Sequence, residues 1–598
     1  MNYRKRAAFG AVLSITCIFL AAGCASSDKE GSTENAKSSS GTVDTSEMFT
    51  NRDLDFTYDE GSAVKIQLSD EGSSCDSKGV SISDSVITIS EEGTYILSGS
   101  LTEGRIVVDA GDTDKLQLVL DNAEVNCSTS AALYVKQADK VFVTLAEGSD
   151  NYLSNQEDFI AIDENNIDAV IFAKDDLTLN GTGSLSITAA YGHGIVSKDD
   201  LVLTGGNYQI TAADHALSGK DSVRIAEGNF LLSSGKDGIQ ADYNEDTEEA
   251  SSDRERGFIY IAGGEFQIAA GDDGMQASSF AQIADGKIQI EASDDGIHAD
   301  SEASVHNGEI NITKCYEGIE GQKVEITGGS IYITADDDGL NSAGGNDQSS
   351  FAGGQREDPF AVDEDCEIHI TGGSITINAS GDGIDSNGNL YVSGGEIYVS
   401  GPENDGNGAL DYAGEAQITG GTAVAVGGSG MAQNFGGSST QGAMLVNLSE
   451  WVEGTLILTD SSGTEVISYT PEKRYNSIVI STSEIQQGET YTLTAGGQES
   501  IIEMTELIYG TGGMGGRMGA PGQGGRQEGT EPPADMGERP EGGMEPPSDM
   551  EEMPEGGMEP PADMRDKPEG GMEPPMDAGR EPMGNNNSPA RGGNSNIQ

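Results

Sequence analysis

The sequence predicts an all-β protein, a right-handed parallel β-helix of about 22 residues per coil, with a small C-terminal β module and disordered termini. Three observations carry this: a recurring Asp/Gly word, period-two alternation between its copies, and glycine pairs at one fixed corner. The word reads SGKDGIQAD, AGDDGMQAS, SDDGIHAD, CYEGIEGQ, ADDDGLNSA, SGDGIDSNG and, more loosely, NDGNGALDY. Its central glycines are Gly238, Gly274, Gly296, Gly318, Gly339, Gly383 and Gly408. Gaps of 36, 22, 22, 21, 44 and 25 make most of them one unit and one of them two units. Counting back by 22 from Gly238 reaches Ala216 and then Gly194. A fixed period between about 20 and 50 residues marks a solenoid.

Each unit holds three short alternating segments, such as Phe266-Gln267-Ile268, Gly274-Met275-Gln276-Ala277 and Ala281-Gln282-Ile283. Alternation with β-branched residues and Gly/Asp/Asn punctuation reads as strand and turn. One column of second-strand residues runs Ile239, Met275, Ile297, Ile319, Leu340, Ile384. The first strand stacks Tyr208, Phe230, Phe266, Ile288, Ile310, Ile331, Ile375 and Ile397. Such ladders bury apolar side chains along the axis at about 4.8 Å per rung. The pairs Gly205-Gly206, Gly263-Gly264, Gly328-Gly329, Gly372-Gly373 and Gly394-Gly395 suit a tight corner with positive φ. Two insertions, near Tyr243–Arg256 and Ala343–Asp365, leave from the same corner after the second strand. Long loops on one edge of a solenoid are where binding concentrates.

The ends read differently. Residues 1–24 carry Arg4, Lys5 and Arg6 before an apolar run, then Ala21-Ala22-Gly23-Cys24. That is a secretory signal. Its end resembles a bacterial lipoprotein cleavage site with Cys24 as the lipidated residue, although Ala21 stands where Leu is commoner. No other run reaches the roughly 18 apolar residues that a membrane span needs. The expected product is exported and held at the outer face of a bacterial membrane by lipid alone. Residues 25–50 form a Ser/Gly-rich linker, 51–439 the repeat domain and 440–508 a small β module that caps it. Residues 509–598 form a Gly/Pro/Met/Glu-rich tail that cannot bury a core. Cys75, Cys127, Cys315 and Cys366 show no obvious pairing; export permits disulfides, and buried thiols fit equally.

The net charge of −69 makes nucleic acid an implausible partner and calls for something cationic. Part of it is ordered. The position before each central glycine reads Asp237, Asp273, Asp295, Glu317, Asp338, Asp382, with Asp272, Asp294 and Asp337 preceding three of them. Carboxylates stacked about 5 Å apart repel by about 3 kcal/mol per pair at an effective dielectric near 20, before screening. Calcium, which takes carboxylate and carbonyl oxygens in flexible geometry, relieves this. Asp242, Asp300, Asp385 and Asp411 offer further oxygens. Against that stands the simpler reading that Asp before Gly accepts hydrogen bonds within its own turn. The five histidines have no zinc spacing, although His193 and His215 share a column.

The stretches YILSGSL (95–101), KVFVTLAEGSDNYL (140–153), AKDDLTLNGTGSLSITA (173–189), GDGIDSNG (381–388), NGALDY (407–412) and GSGMAQ (428–433) resemble a clostridial carbohydrate-binding β-helix family. The resemblance covers about Asp53 to Ser500. It implies a pectate-lyase-like fold, calcium, and binding of cellulose or pectic acid-sugar polymers. It assigns no particular calcium ligand, because acidic positions recur in every coil.

The expected function is a lipid-anchored, calcium-stabilised, monomeric polysaccharide-binding protein. Outward residues available to a sugar include Tyr260, Tyr332, Tyr391 and Tyr398, with Gln267, Gln276, Gln289 and His298. Exposed tyrosines serve equally well as packing for a loop. One alternative is a calcium-dependent lyase on uronic-acid polymers, with Arg224, Lys236 or Lys287 as base. Another is a calcium-stiffened surface stalk.

Overall fold

The computed structural model describes residues 48–243, 256–343 and 362–510. The signal segment with Cys24, most of the linker, the tail from residue 511, and insertion residues 244–255 and 344–361 lie outside the described residues. What is described is nearly all β, with one short helix at Asn51–Leu54.

Each repeat lays down three short strands, and each pairs in parallel with its counterpart in the next repeat. Glu265–Ala270, Met275–Ala277 and Phe280–Ile283 are one such set. They pair with Lys287–Glu291 and with the two ends of Ile297–Val305. Three ladders result, here called first, second and third in chain order. In the first, Tyr208, Phe230, Phe266, Ile288, Ile310, Ile331, Ile375 and Ile397 stand in unbroken register. In the second, Ile239, Met275, Ile297, Ile319, Leu340 and Ile384 do the same. All are buried, and they belong to one continuous apolar core. Burying a side chain of this size contributes about 1.5–3 kcal/mol. In-register pairing also stacks rings face to face, with Phe230 on Phe266 at 4.7 Å and Tyr208 on Phe230 at 5.1 Å.

The corner between the third and first ladders depends on glycine. The second members of the expected pairs, including Gly206 (φ 103°) and Gly264 (φ 111°), are left-handed. Gly228 has φ 140°, and a Cβ there would stand 2.9 Å from the Phe230 ring.

One spacing reads differently in three dimensions. The 44-residue gap does not hold two units, because Leu340 pairs directly with Ile384 and Ile331 with Ile375. The additional residues leave the ladder after Ser342, as the other insertion leaves after Ala241. The ladders also begin earlier than the repeated word. Tyr95, Leu118, Val143, Leu179 and Leu203 are successive partners, at spacings between 23 and 36 residues.

At the other end, the last strand of the first ladder, Thr422–Gly427, is met by antiparallel Tyr475–Ser481, which also pairs with Ala443–Val452. This covers an edge that would otherwise recruit another chain. A second, antiparallel sheet joins Leu456–Asp460, Glu465–Tyr469, Thr490–Ala495 and Gln498–Glu503. Among the described residues Cys75, Cys127, Cys315 and Cys366 form no disulfide, and the last three are buried.

The N-terminal segment is a strap along the third ladder. Thr50 and Asp53 form a capping box around the short helix. Asp53 is buried, accepts from Thr178 Oγ1 at 2.7 Å and pairs with Lys140 Nζ at 2.9 Å. Its carbonyl accepts from Thr204 Oγ1 at 2.6 Å. Burial alone would raise the Asp53 pKa, but hydrogen bonds from Thr50, Lys140 and Thr178 outweigh it and hold the carboxyl at about 2. A depressed carboxylate contributes fully above its ordinary value of 3.8, and the contribution is lost as pH falls from there toward about 2. Asp53→Ala strands Lys140 in a buried site, at a cost of about 3–5 kcal/mol. We expect trypsin at neutral pH to cut after Arg52 in this variant and to leave the wild type intact there; equal resistance of both proteins would contradict the clamp.

Candidate functional site

The position before each repeat glycine builds a column with one shared hydrogen bond. The side chain in one repeat accepts the main-chain N–H of the same position in the next. Asp237 accepts from Asp273 N–H at 3.3 Å, Asp273 from Asp295 at 2.8 Å, and Asp295 from Glu317 at 3.2 Å. Asp338 accepts from Asp382 and Asp382 from Gly408, both at 2.5 Å. Register sets Gly408 opposite Asp382, so Ala409 and not Gly408 holds the central-glycine position of that repeat. His193 and His215 open the same column, stacked at 4.9 Å with one imidazole nitrogen accepting from the next repeat. Burial and the neighbouring His215 lower the His193 pKa to about 4. The expected bond within each turn is therefore replaced by a bond between repeats, which ties acidic side chains into the ladder itself.

A second column faces the first across the corner, three residues on: Gln276, His298, Glu320, Asn341, Asp385 and Asp411, in register. His298, Glu320 and Asn341 are 5%, 2% and 1% exposed. The second strand is thus buried on both sides, apolar on one and polar on the other. His298, expected among the outward residues, is instead the cation of this seam. Its Nδ1 lies 2.7 Å from Glu320 Oε2 and 3.1 Å from Asp295 Oδ2, and its Nε2 3.3 Å from Asp300 Oδ1. Burial would lower the imidazole pKa, but these three carboxylates outweigh it and raise it strongly.

Burial raises other carboxyls of the seam. Burial, then the Asp295 charge, pushes Asp273 up. Burial, then Asp385 and Asp382, pushes Asp338 up to about 9; burial pushes Asp382 up to about 7, with Asp411 and Asp337 adding to it. Ligand oxygens of Asp338, Asp382 and Asp385 lie within 4.8 Å of one another, as do those of Asp272, Asp273 and Asp294. Asn341 gives its amide N–H to Glu317, and its Oδ1 is buried with no hydrogen-bond partner. Asp237 Oδ2 sits 3.0 Å from His215 Nδ1, the nitrogen that accepts the Asp237 N–H. Asp337 accepts from the Tyr316 hydroxyl. Asp411 is raised by burial, and Gln433 donates to it.

The tyrosines separate. Tyr260 is 7% exposed, covered by Met48 and Phe49 of the strap, and so is not an outward sugar contact. Tyr398 packs on Tyr469 at 5.1 Å, and the Tyr332 hydroxyl donates to Glu472 at 3.1 Å. Both are half-buried beneath the loop between two C-terminal strands. Tyr391 is half-buried beside His369 at 4.8 Å, in the adjacent repeat of the third ladder. The outward row of the first ladder runs Tyr152, Ser186, Gln209, Leu231, Gln267, Gln289, Asn311, Tyr332, Thr376 and Tyr398. Tyr152 and Leu231 are 38% and 47% exposed. Hydroxyls, amides and rings in one straight row suit a long, hydroxyl-rich ligand.

The candidate bases are all engaged: Arg224 with Asp200, Lys236 with Asp214 at 3.7 Å, and Lys287 with Glu265 at 3.5 Å. The lysine whose pKa falls, to about 8 through burial, is Lys473, which donates to the Ala379 carbonyl. No repeat word flagged it, because it lies in the non-repeating end.

An all-β protein with parallel ladders, a polar seam and a straight polar row is the class these observations define. A family model described as "Carbohydrate-binding domain-containing protein" matches residues 83–339 and 292–434, more than half of the chain, and the protein belongs to that family. A protein of the same description from Acetivibrio thermocellus is 38% identical over 136 residues, 22% of this chain and 48% of the relative. The chain thus spans about half the length of that relative. A solved structure, a polysaccharide lyase-like protein from C. thermocellum in its gadolinium derivative, shares 32% identity. The match covers 38% of this chain and 91% of that one, at a TM-score of 0.36.

His298→Leu leaves Asp295 and Glu320 buried without their cation. We expect a loss of about 3–5 kcal/mol in urea unfolding. The contribution of a raised imidazole is full below its ordinary value of 6.5, while burial pushes the Asp295 carboxyl up to about 7. The loss is therefore to be measured near pH 6.5, where the stranded carboxyls do not simply take up protons as they would at pH 5. A change below about 0.5 kcal/mol, typical of an exposed side chain, would show that His298 is not the seam's cation.

Proposed function

We propose that the protein is a monomeric polysaccharide-binding protein of the bacterial cell surface, anchored by lipid at Cys24, that holds cellulose or pectin-like polymers without cleaving them. The ladders close in this reading into a right-handed parallel β-helix, which is what three parallel pairings per repeat support. The observation that carries the function is the straight outward row of the first ladder, taken together with membership of a carbohydrate-binding family. Amides satisfy sugar hydroxyls and rings cover their apolar faces. Holding rather than cleaving is favoured because Arg224, Lys236 and Lys287 are paired with carboxylates, and Lys473, whose pKa is lowered, is engaged by the Ala379 carbonyl.

Calcium belongs to the same proposal. Asp338, Asp382 and Asp385 converge, and the orphaned Asn341 Oδ1 stands between Glu320 and Asp385 in the second column. Hard carboxylate and amide oxygens are what calcium takes. These four residues would hold it, and its charge would replace the protons that burial otherwise imposes. Asp272, Asp273 and Asp294 form a second, more open candidate. Bound calcium would also bridge to the carboxylates of an acid-sugar polymer, which a chain of net charge −69 would otherwise repel.

Raised carboxyls make the folded state bind more protons than the unfolded one. Stability in chelator therefore falls as pH climbs from 3.8 through about 7 to about 9. Calcium should flatten that slope and, at a hundredfold excess over Kd, add about 2.7 kcal/mol. Asp382→Asn should lose most of the calcium response in the same thermal melts. A response unchanged in the variant would place the cation elsewhere.

The function itself is tested by retention on insoluble cellulose and on polygalacturonate, with absorbance following unsaturated product. Retention with flat absorbance is expected. Rising absorbance would make the protein a lyase, and no retention on either polymer would leave a surface stalk.

A further inference from the structure

The strap does more than cover Tyr260. Beyond the buried Asp53, Thr57 folds back on Asp55, its N–H at 3.0 Å and its hydroxyl at 2.6 Å from Asp55 Oδ1. This turn presents Phe56, which is 42% exposed. Of the strap's exposed apolar side chains, Leu54 and Phe56, Phe56 alone lines a groove of about 610 Å³ over the glycine corner. The floor is backbone at Gly205, Gly206, Gly228 and Gly264, where left-handed turns leave no side chain. The far wall is Asn207 and Asn229, both exposed, with Asn229 Nδ2 donating to Asn207 Oδ1 at 2.8 Å. A second hollow of about 560 Å³ shares Asn207, Asn229 and Glu265 and continues along the first ladder past the exposed Leu231.

We propose that this groove is a binding site for a neutral glycan chain, with a pyranose face against Phe56 and hydroxyls on the Asn207–Asn229 pair. The proposal rests on the polysaccharide-binding reading and narrows it. The lining carries Glu227, Glu265 and Asp150; Lys287 beside it pairs with Glu265, which leaves a net negative wall that repels a uronate chain and accepts an uncharged one. A β-linked glucan has equatorial hydroxyls and flat apolar faces, which match one ring beside two amides. The site needs no calcium and lies apart from the Asp338 cluster in sequence and ladder, which assigns neutral and acidic polymers to different parts of the molecule. The clamp around Asp53 is then a positioning element, since it fixes the segment from which Phe56 projects.

The test uses the full chain with a cello-oligosaccharide as probe, titrated by calorimetry, beside polygalacturonate retention in calcium. Phe56→Ala should weaken the cello-oligosaccharide about tenfold, while Phe56→Trp restores it. Polygalacturonate retention and melting temperature should stay as in the wild type, because Phe56 is exposed. Equal cello-oligosaccharide affinity of wild type and Phe56→Ala would overturn the inference. So would a wild type that retains polygalacturonate but ignores the neutral probe, and that result would leave the broader function standing. A wild type that binds neither polymer would overturn both.

Discussion

Strand pairing in register, repeat over repeat, is the constraint from which the rest of this structure follows. Parallel ladders place each residue directly above its counterpart, about 4.8 Å away. Where the counterpart is Ile or Phe, the result is a continuous buried column. Where it is Asp, the same geometry crowds like charges in a poorly solvated corner. The chain answers this in two ways. Main-chain N–H groups from the next repeat hydrogen-bond the carboxylates. An imidazole stands among three of them at His298. At Asp338 and Asp382 the main-chain bonds do not offset burial, and their carboxyls are pushed up, to about 9 and about 7.

The faces of the ladders are not equivalent, and their differences come from segments outside the repeats. The strap closes the third ladder from Lys140 to Phe280. The loop carrying Tyr469 and Glu472 leans on the far end of the first. Among the described residues, what stays open is the N-terminal part of the first ladder and the glycine corner beside it. A ligand long enough to use the whole row would meet Tyr152 and Leu231 in the open part and Glu472 at its end.

Much of this was legible in the chain. The columns from Tyr208 to Ile397 and from Ile239 to Ile384 follow from a period of about 22, and the corner glycines from their pairing. The acidic column was legible as a column, although its hydrogen bonds run between repeats and not within turns. Contacts across large separations were not legible. Tyr260 alternates outward as its strand requires, yet Phe49 covers it from 211 residues away, and no periodicity encodes that. Tyr332 and Tyr398 meet the C-terminal loop for the same reason. His298 read as outward because it alternates with Ile297, but the second strand is too short and too sharply turned to expose either side. The 44-residue gap matched two periods by coincidence of length, and only pairing reveals an insertion. The N-terminal repeats escaped notice because their spacing varies.

In the proposed reading His298 supplies the cation between Asp295 and Glu320, and calcium would supply it among Asp338, Asp382 and Asp385. The most direct test is anomalous diffraction from crystals of the protein grown in calcium. The account predicts a peak among Asp338, Asp382 and Asp385 within reach of Asn341 Oδ1, and none at Asp295, His298 and Glu320, where the imidazolium already stands. A peak at His298 with an empty Asp338 cluster would contradict it.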